Sequence, residues 1–236
     1  MIDVRMFTVG PLQENCFIVR AAGSSHALII DPGDEAARLI EAIDALGIEA
    51  VDAILLTHTH FDHIGAVAPV AKATGAPVYC PELEAEVLSN IMDYVPWSEF
   101  GPFESYDADH TVAGGETLAL AGLEIAVLFT PGHSPGHVSY AIREHHRDPV
   151  AGPDPASGRD PGAGTEPALF SGDVLFQGSV GRVDLPGGDW PTLARSIELL
   201  LDTFASATTV YPGHMGRTTL GAERASNPFL RELARQ

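Results

Sequence analysis

The stretch Thr57-His58-Thr59-His60-Phe61-Asp62-His63 carries three histidines and one aspartate in a single short segment. It directly follows residues 51–56, a mainly aliphatic run that predicts a buried strand. Imidazole and carboxylate groups are the ligands expected for first-row divalent metal ions. The stretch therefore predicts a metal site at the end of a buried strand, with a solvated histidine-rich turn as the alternative.

The spacing within this stretch predicts two sets of ligands. Alternate residues at a strand end point to the same side, so His58 and His60 can converge on one ion. Asp62 and His63 lie where the chain turns toward a predicted helix over residues 65–72, and they can face a second ion nearby.

Length and composition set limits on the class of protein. The 236 residues fit a single domain, which we predict to span residues 1–236. No apolar run approaches the ~20 residues that span a bilayer. Residues 1–10 show no secretory signal, so a cytoplasmic location is expected. Cys16 and Cys80 are the only cysteines, and two free thiols suit a reducing compartment.

The charge of the chain limits its partners. A formal net charge of −19 argues against nucleic-acid binding, which requires a basic surface. That value overstates the field around a metal site, because carboxylates bound to divalent ions no longer act as free anions. We expect a small-molecule substrate, with no nucleic-acid or membrane partner; the oligomeric state does not follow from the sequence.

Runs of β-branched and aliphatic residues between Gly- and Pro-rich turns predict strands over residues 4–9, 15–21, 26–31, 51–56, 77–80, 110–113, 117–121, 123–129, 138–143, 168–171 and 208–211. Helices are predicted over residues 35–46, 65–72, 82–90 and 189–204, and from about residue 219. Asp34 is predicted to cap the first of them. Strands in runs with helices between them predict an α/β fold in which two sheets pack face to face with helices outside.

Two stretches lack a clear period. Residues 92–109 hold clusters of aromatic residues with prolines and acidic residues, and they predict either a wall over the site or a packed surface loop. Residues 144–167 are rich in Pro, Gly, Asp and Ala and lack core-forming residues. They predict a flexible surface insertion between two strands.

Three later residues each follow a predicted apolar strand: His133, Asp173 and His214. Each lies in a turn rich in Gly, Pro or Thr. Any one of these residues alone is weak evidence for a metal site, because the His of a Pro-Gly-His turn is more often a turn residue than a ligand. Side chains at the same edge of a sheet can meet although they are distant in sequence, so these three residues extend the predicted metal site.

In these motifs the chain resembles the metallo-β-lactamase fold superfamily. The matching segments are Thr57-His58-Thr59-His60-Phe61-Asp62-His63, Thr130-Pro131-Gly132-His133-Ser134-Pro135-Gly136-His137, Ser171-Gly172-Asp173-Val174-Leu175-Phe176 and Tyr211-Pro212-Gly213-His214. Residues 178–189 and the ending Asn227-Pro228-Phe229-Leu230 are similar to the glyoxalase II-like branch, which contains hydroxyacylglutathione hydrolases.

The resemblance implies a four-layer αββα sandwich with a two-metal site. The ligands that it implies for the first ion are His58, His60 and His133. Those implied for the second ion are Asp62, His63 and His214. Asp173 would bridge the two ions. We expect zinc first. Iron and manganese are alternatives, because a ligand set of nitrogen and oxygen atoms alone accepts several metals.

A site of this kind suits the hydrolysis of a thioester. Two divalent ions ~3.5–4 Å apart lower the pKa of a bridging water and polarise a carbonyl group. Asp62 is predicted to orient the nucleophile as well as bind metal, and a thiolate leaves without a strong general acid. Together with this chemistry, the resemblance to the glyoxalase II-like branch implies cleavage of a 2-hydroxyacyl thioester, similar to S-lactoylglutathione, to a hydroxy acid and a free thiol.

Three further residues are candidates for supporting roles. Asp31 could orient a metal-bound histidine or simply cap the next helix. His137 could hydrogen-bond a ligand or its turn, or be a structural residue at a strand start. Arg182 could bind a substrate carboxylate or form a structural salt bridge.

Other functions stay open. A persulfide dioxygenase of this fold would use one iron with His58, His133 and Asp173, whereas residues 185–189 favour the hydrolase. Lactam or phosphoester hydrolysis, and a metal-stabilised scaffold that only binds, are further alternatives. The tail after His214 is too short for the glutathione-binding segment of larger glyoxalase II enzymes, so another thiol carrier, such as mycothiol or coenzyme A, is also compatible.

Overall fold

Two six-stranded β-sheets lie at the centre of the computed structural model, which describes residues 1–145 and 166–233. The first sheet has its strands in sequence order: β1 (Ile2–Val9), β2 (Glu14–Ala21), β3 (His26–Ile30), β4 (Ala50–Leu55), β5 (Val78–Pro81) and β6 (His110–Val112). The second sheet contains β7 (Thr117–Leu120), β8 (Leu123–Phe129), β9 (Val138–Glu144) and β10 (Ala168–Gly172). A small hairpin of β11 (Leu175–Phe176) and β12 (Ser179–Val180) follows, and β13 (Thr209–Pro212) and β14 (Thr218–Thr219) complete the second sheet in the order β14-β13-β10-β9-β8-β7.

Helices connect and cover these strands. In the first half of the chain they are α1 (Ala36–Ala45), α2 (Phe61–Ile64), α3 (Val67–Thr74), a 3-10 turn (Glu82–Glu84), α4 (Ala85–Ser89) and α5 (Ile91–Tyr94). In the second half they are α6 (Trp190–Thr203), α7 (Leu220–Ser226) and α8 (Pro228–Leu233). Within the described ranges, none of them has the length and apolar character that crossing a membrane requires.

Three hydrophobic cores separate the molecule into four layers. The first core lies between the first sheet and helices α1 and α3, where Ile29 meets Leu39. The second lies between the two sheets and contains Leu28 and Ile125. The third lies between the second sheet and α6, which contributes Leu193. Because successive residues of a strand point to opposite faces, Leu28 and Ile29 enter different cores. The predicted αββα sandwich is confirmed.

Strand direction gathers several turns at one edge of the sandwich. Strands β8 and β10 are both antiparallel to β9 and therefore run in the same direction, and β13 is parallel to β10. The turns that follow β8, β10 and β13 thus lie at the same edge of the second sheet. The first sheet joins this edge where the main-chain N–H of Val138 donates to the carbonyl of Thr57 at 2.8 Å and that of Asn15 donates to Gly213 at 2.7 Å.

Several local predictions need correction. The helix predicted over residues 65–72 is α3 (Val67–Thr74), and the short helix α2 that precedes it was not predicted. The helix predicted over residues 82–90 begins with a 3-10 turn. Asp34 does not cap α1: Glu35 takes the N-cap position with a left-handed φ of 53° and no side-chain cap. Strand β9 extends to Glu144, the residue at which the insertion was predicted to begin. Most of that insertion, and His146 within it, lie outside the described residues.

Candidate metal centre

The first ligand group joins the turn after β4 to the turn after β8. The Nδ1 atom of His60 lies 2.8 Å from Nε2 of His133, and the ring centroids of His58 and His60 are 4.8 Å apart. One ligand atom from each of the three histidines lies within 4.8 Å of the others. The structure therefore brings together the residues that were predicted for the first ion.

The second ligand group contains the other two predicted ligands of the turn after β4 and the histidine that follows β13. Oδ2 of Asp62 lies 3.4 Å from Nε2 of His214, and ligand atoms of Asp62, His63 and His214 all lie within 4.8 Å of one another. Gly213 leaves the space that these side chains need, because a Cβ atom there would lie 2.7 Å from Cε1 of His63 and 2.3 Å from Oδ1 of Asp173.

Asp173 lies between the two groups, directly after β10. Its Oδ1 atom is 3.4 Å from Nε2 of His63. Its Oδ2 atom is 3.5 Å from Nε2 of His133 and 3.5 Å from Nε2 of His214. One carboxylate therefore faces both groups, which is the position that a bridging ligand would occupy.

Three atoms of this cluster are buried and have no hydrogen-bond partner among the residues that the structure describes: Nε2 of His58, Nε2 of His63 and Oδ1 of Asp173. Buried polar atoms in proteins normally do have a partner. Divalent ions would satisfy these atoms, and the whole donor set consists of imidazole nitrogens and carboxylate oxygens that bind first-row metals. The residues present therefore fit metal ions at this site.

Burial and neighbouring charges give the histidines opposite protonation states. Burial, with the neighbouring histidines, lowers the pKa of His58 well below its ordinary value and lowers the pKa of His60 to about 4. Burial also acts to lower the pKa of His63, but the carboxylates of Asp173 and Asp31 outweigh it and raise that pKa well above its ordinary value. Although burial opposes it, His63 in turn holds the pKa of Asp173 below its usual range.

Asp31 lies behind the ligands and fixes which ring nitrogen faces the cluster. Its carboxylate accepts from the Thr57 hydroxyl at 2.6 Å and from Nδ1 of His63 at 3.1 Å. Because the Thr57 hydroxyl donates to Asp31, it accepts from Nδ1 of His58, 3.1 Å away. Both histidines therefore direct Nε2 at the cluster. Of the two roles that the sequence left open for Asp31, the geometry matches the first, since Glu35 takes the N-cap position of α1.

His137 contacts the turn that carries Asp173. Its Nε2 atom accepts from the main-chain N–H of Asp173 at 3.0 Å, so its proton resides on Nδ1, which lies 3.1 Å from the Thr130 hydroxyl. Burial lowers the pKa of His137 well below its ordinary value, which keeps this acceptor nitrogen unprotonated. The imidazole thus holds the main chain of the Asp173 turn rather than facing the cluster.

Arg182 contacts the site through its main chain. Its carbonyl oxygen accepts from Nδ1 of His133 at 2.7 Å, which leaves Nε2 of that histidine facing the cluster. Its guanidinium forms a bidentate ion pair with Asp184, in which two of its nitrogens lie 2.6 and 2.7 Å from the two carboxylate oxygens. The predicted contact between Arg182 and a substrate carboxylate stays a prediction, and the structural salt bridge is present. His110 and His145 lie elsewhere, against Tyr79 and Glu124.

Glu84 is a buried carboxylate that the sequence analysis did not identify as part of the site. Its Oε2 atom accepts from the main-chain N–H of Thr59 at 2.7 Å and from its hydroxyl at 2.9 Å. Its Oε1 atom accepts from the Ser134 hydroxyl at 2.5 Å and from the Gly136 N–H at 2.7 Å. Glu84 therefore ties the turn that carries His58 and His60 to the turn that carries His133. Nothing in the local sequence of a short, acidic helix signals this role.

Ser134 lies within residues 132–136, which have the Gly-x-Ser-x-Gly spacing of a serine-hydrolase nucleophile turn. Here the serine hydroxyl is buried and donates to Glu84. Such turns connect a strand to a helix, whereas these residues lie between β8 and β9. The serine therefore serves the turn and does not act as a nucleophile.

Asn15 is a second residue that the sequence analysis missed. Its Nδ2 atom donates to the carbonyls of Pro212 and Met215 at 3.0 and 2.8 Å, on either side of His214. The neighbouring Glu14 is also buried, and burial raises the pKa of its carboxyl well above the ordinary value. The start of β2 in the first sheet thus anchors a ligand turn of the second sheet.

A cavity of about 470 Å³ opens above the cluster. Asp62, His133 and Asp173 are among the residues that line it. Tyr94 and Trp97 form part of its wall, so the beginning of the aromatic stretch at residues 92–109 lies over the site. The prediction of a wall therefore holds for the beginning of the stretch, whereas Phe100, Phe103 and Tyr106 pack against the first core, as the alternative of a packed loop predicted.

Comparison with known proteins places the chain in a family. The family model described as the metallo-beta-lactamase superfamily matches residues 9–147, which is more than half of the chain. The chain belongs to the metallo-β-lactamase superfamily. The matched range includes the turn after β4 and His133, and the resemblance drawn from the sequence motifs is confirmed. As a member of this superfamily the protein belongs to a metallo-hydrolase family whose fold binds metal ions.

Individual members of the superfamily are similar over nearly the whole chain. The hydroxyacylglutathione hydrolase GloC of Haemophilus influenzae is 32% identical over 231 residues, covering 97% of this chain and 98% of its own. The structure of the B3 metallo-β-lactamase BLEG-1 is 35% identical, with a TM-score of 0.81 and coverage of 97% and 99%. The structure of TTHA1623 in a di-iron-bound form is 38% identical, with a TM-score of 0.74 and coverage of 96% and 100%.

Proposed function

We propose that the protein is a binuclear metal-dependent hydrolase that cleaves a 2-hydroxyacyl thioester to a hydroxy acid and a free thiol. The observation that carries this proposal is the convergence of two ligand groups on one carboxylate, Asp173. The similarity to GloC supports a thioester as the substrate class. Zinc is the metal that we propose first. Iron and manganese are alternatives, because a ligand set that contains only nitrogen and oxygen accepts several metals.

The chain's own residues hold and orient the reacting groups. When bound, two divalent ions supply an activated water and an electrophilic centre for a carbonyl oxygen. The neutral imidazoles of His58 and His60 present unprotonated nitrogens as ligands. Although burial opposes it, His214 holds the pKa of Asp62 below its ordinary value. We assign to the ionised Asp62 a second role, that of accepting a hydrogen bond from the attacking water and orienting it.

Three residues act by positioning the ligands. Asp31 orients His63, and His137 holds the main chain of Asp173. The carbonyl of Arg182 orients His133. Partners of this kind typically change metal affinity or activity 10- to 100-fold when they are removed.

The similarity to BLEG-1 favours β-lactam hydrolysis as a second candidate function. The same ligand groups would serve it. The two reactions differ at the leaving group, because an amide nitrogen must receive a proton as it leaves whereas a thiolate need not. The thioester makes the smaller demand on the site.

The test uses one preparation of the protein whose metal content has been measured. Hydrolysis of S-lactoylglutathione, hydrolysis of a chromogenic β-lactam and persulfide-dependent oxygen uptake are assayed side by side. Thioester cleavage at two metals per chain is the expected result. Cleavage of the lactam alone would select the second candidate, and oxygen uptake with one iron would select the dioxygenase.

A substitution tests the role of Asp62. Asp62→Ala removes a ligand and the group that orients the water, so kcat/KM for the thioester should fall by at least about 100-fold. Asp44→Ala, on the exposed face of α1, is the matched control and should leave kcat/KM unchanged. Circular dichroism checks that both variants fold. Turnover of Asp62→Ala at the wild-type rate would refute the assigned role.

A further inference from the structure

The cavity wall above the metal centre is mainly apolar. On one side it is formed by the segment from the 3-10 turn to the end of α5 and the residues just beyond, through Leu83, Val87, Tyr94 and Trp97. Leu185 faces the cavity from the loop before α6. Leu83 is 68% exposed, Tyr94 49% and Trp97 37%, so large apolar surfaces remain open at the mouth. Binding of a ligand with apolar groups is favoured at such a wall, because apolar surface of both the ligand and the wall is removed from water.

The same cavity offers little to a negatively charged ligand. Among the described residues that line it, Arg182 is the only lysine or arginine. Two nitrogens of its guanidinium donate to the two carboxylate oxygens of Asp184, at 2.6 and 2.7 Å. The ion pair carries no net charge. A substrate carboxylate would therefore have to displace Asp184 in order to bind this guanidinium.

We infer that the apolar wall formed by Leu83, Tyr94 and Trp97 selects the thiol half of the substrate, an inference that rests on the thioesterase function proposed above. The wall favours an uncharged thiol that bears an apolar group over an anionic thiol such as glutathione. The metal centre and Asp62 act on the thioester carbonyl, which all such substrates share. Discrimination between thiols then comes from the wall. The exposed aromatic rings and the leucine side chain are specificity residues on this account.

Three S-lactoyl thioesters test the inference on the metal-loaded protein. Their thiols are glutathione, which carries two carboxylates, N-acetylcysteamine, which is small and neutral, and benzyl mercaptan, which is neutral and apolar. Each kcat/KM is divided by the rate constant for alkaline hydrolysis of the same thioester, which removes differences in leaving-group reactivity. We expect the benzyl thioester to exceed the N-acetylcysteamine thioester by about 10-fold. The glutathione thioester should be no better than the N-acetylcysteamine thioester.

Matched leucine substitutions assign the preference to the wall. Leu83→Ala should reduce the benzyl preference by about 3- to 10-fold, and Trp97→Ala should reduce it by at least as much. Leu199→Ala removes another exposed leucine, on α6 and not among the residues that line the cavity, and should leave both the preference and the activity unchanged. A preference that survives both wall substitutions would overturn the inference, as would a glutathione thioester that is the best substrate.

A binding measurement separates this inference from the proposed function. Calorimetry compares 2-(benzylthio)ethanol, a neutral thioether that cannot be hydrolysed, with S-methylglutathione. Tighter binding of the benzyl compound, weakened in Leu83→Ala, supports the wall even if no thioester is cleaved, in which case only the proposed function fails. Tighter binding of S-methylglutathione would refute the wall's selectivity while leaving the hydrolase proposal standing.

Discussion

At the scale of single residues, the site depends on which nitrogen of each histidine carries a proton. Hydrogen bonds to Asp31, Thr57 and the carbonyl of Arg182 fix three imidazoles with Nε2 facing the cluster. Preorganisation of this kind spares the ligands from reorienting when an ion binds. The protonation state, however, differs between the two groups, because His63 lies among carboxylates whereas His58 lies among histidines.

That difference predicts unequal proton release when metal binds. His63 has a raised pKa, so it is protonated at neutral pH in the metal-free protein, and binding at the second group must expel a proton. The affinity of the second ligand group for metal should weaken as the pH falls through the raised pKa of His63. The neutral His58 and His60 release none, and His60 should oppose binding at the first group only near its pKa of about 4. Zinc calorimetry in buffers of different ionisation enthalpy measures this release, and equal release from both groups would contradict the prediction.

Gly172 illustrates how closely a single position is constrained. It has a φ of +47°, and a Cβ atom there would lie 2.5 Å from Nε2 of His137 and 2.6 Å from Oγ1 of Thr57. Gly178 also has a positive φ, of +72°, but a Cβ atom there would meet no atom of the described part of the chain within 4 Å. The two glycines therefore separate the cost of backbone conformation from the cost of collision.

We expect Gly178→Ala to lower the free energy of unfolding by roughly 1–2 kcal/mol, which is the cost of a left-handed alanine. Gly172→Ala should lower it by a further ~1–3 kcal/mol, because the methyl group displaces His137 or Thr57. Urea unfolding of the two variants measures the difference. Equal stabilities would mean that the Asp173 turn can move away from His137.

At the scale of elements, the ligand turns are held by contacts that lie outside the ligand set. Glu84 joins the turn after β4 to the turn after β8, and Asn15 in β2 holds the turn after β13. These contacts cross between elements that are far apart in the chain. The geometry of the centre is therefore a property of several elements together.

Substituting Glu84 tests this coupling. Glu84→Gln replaces one acceptor oxygen with an NH₂ group that faces N–H and O–H donors, so the two turns should separate. We expect metal affinity at the first group to fall about 10- to 100-fold and the free energy of unfolding to fall by about 1–3 kcal/mol. Chelator competition and urea unfolding measure the two effects.

Glu82→Gln is the control for this substitution, since Glu82 lies in the same 3-10 turn but is exposed. It should change neither quantity. If Glu84→Gln lowers stability yet leaves metal affinity at the first group intact, Glu84 supports the fold without positioning the ligands.

At the scale of the whole molecule, the centre joins the two sheets. The turn after β4 belongs to the first sheet, and Asp173 and His214 follow strands of the second. Ions bound between these turns would stabilise the folded chain by mass action, because a denatured chain does not keep the seven side chains together. Such ions would also partly neutralise a region rich in carboxylates.

Removal of metal should therefore lower the melting temperature. Metal present at about 1,000 times its dissociation constant stabilises a protein by about 4 kcal/mol, which for a chain of this size corresponds to a Tm shift of about 8–16 °C. Calorimetry before and after chelation measures the shift, with metal content checked in each sample. Asp62→Ala should show a smaller shift. An unchanged Tm after complete removal of metal would show that the apo cluster is stable without ions.

Much of the fold could be predicted from the sequence, because strand runs and turn residues are local signals. The apolar runs of β3 and β8 predicted strands close to their observed bounds, and the alternation of strands with helices predicted the layers. The two-residue strands β11, β12 and β14 were not predicted, since a strand of two residues is too short to show a hydrophobic period. The first helix was placed correctly but its cap was not, because a left-handed Glu35 replaces the usual side-chain cap.

The sequence by itself determined the identity of the seven candidate ligands, because imidazole and carboxylate groups in turns after apolar strands are a chemical signal that survives without coordinates. Only the tertiary structure decided which residues support them. Glu84, Asn15 and the apolar wall formed by Leu83, Tyr94 and Trp97 are ordinary residues in their own segments. Their roles arise from burial and from contacts between distant elements, and the free energy of such contacts depends on how the chain packs rather than on which residues are neighbours in sequence.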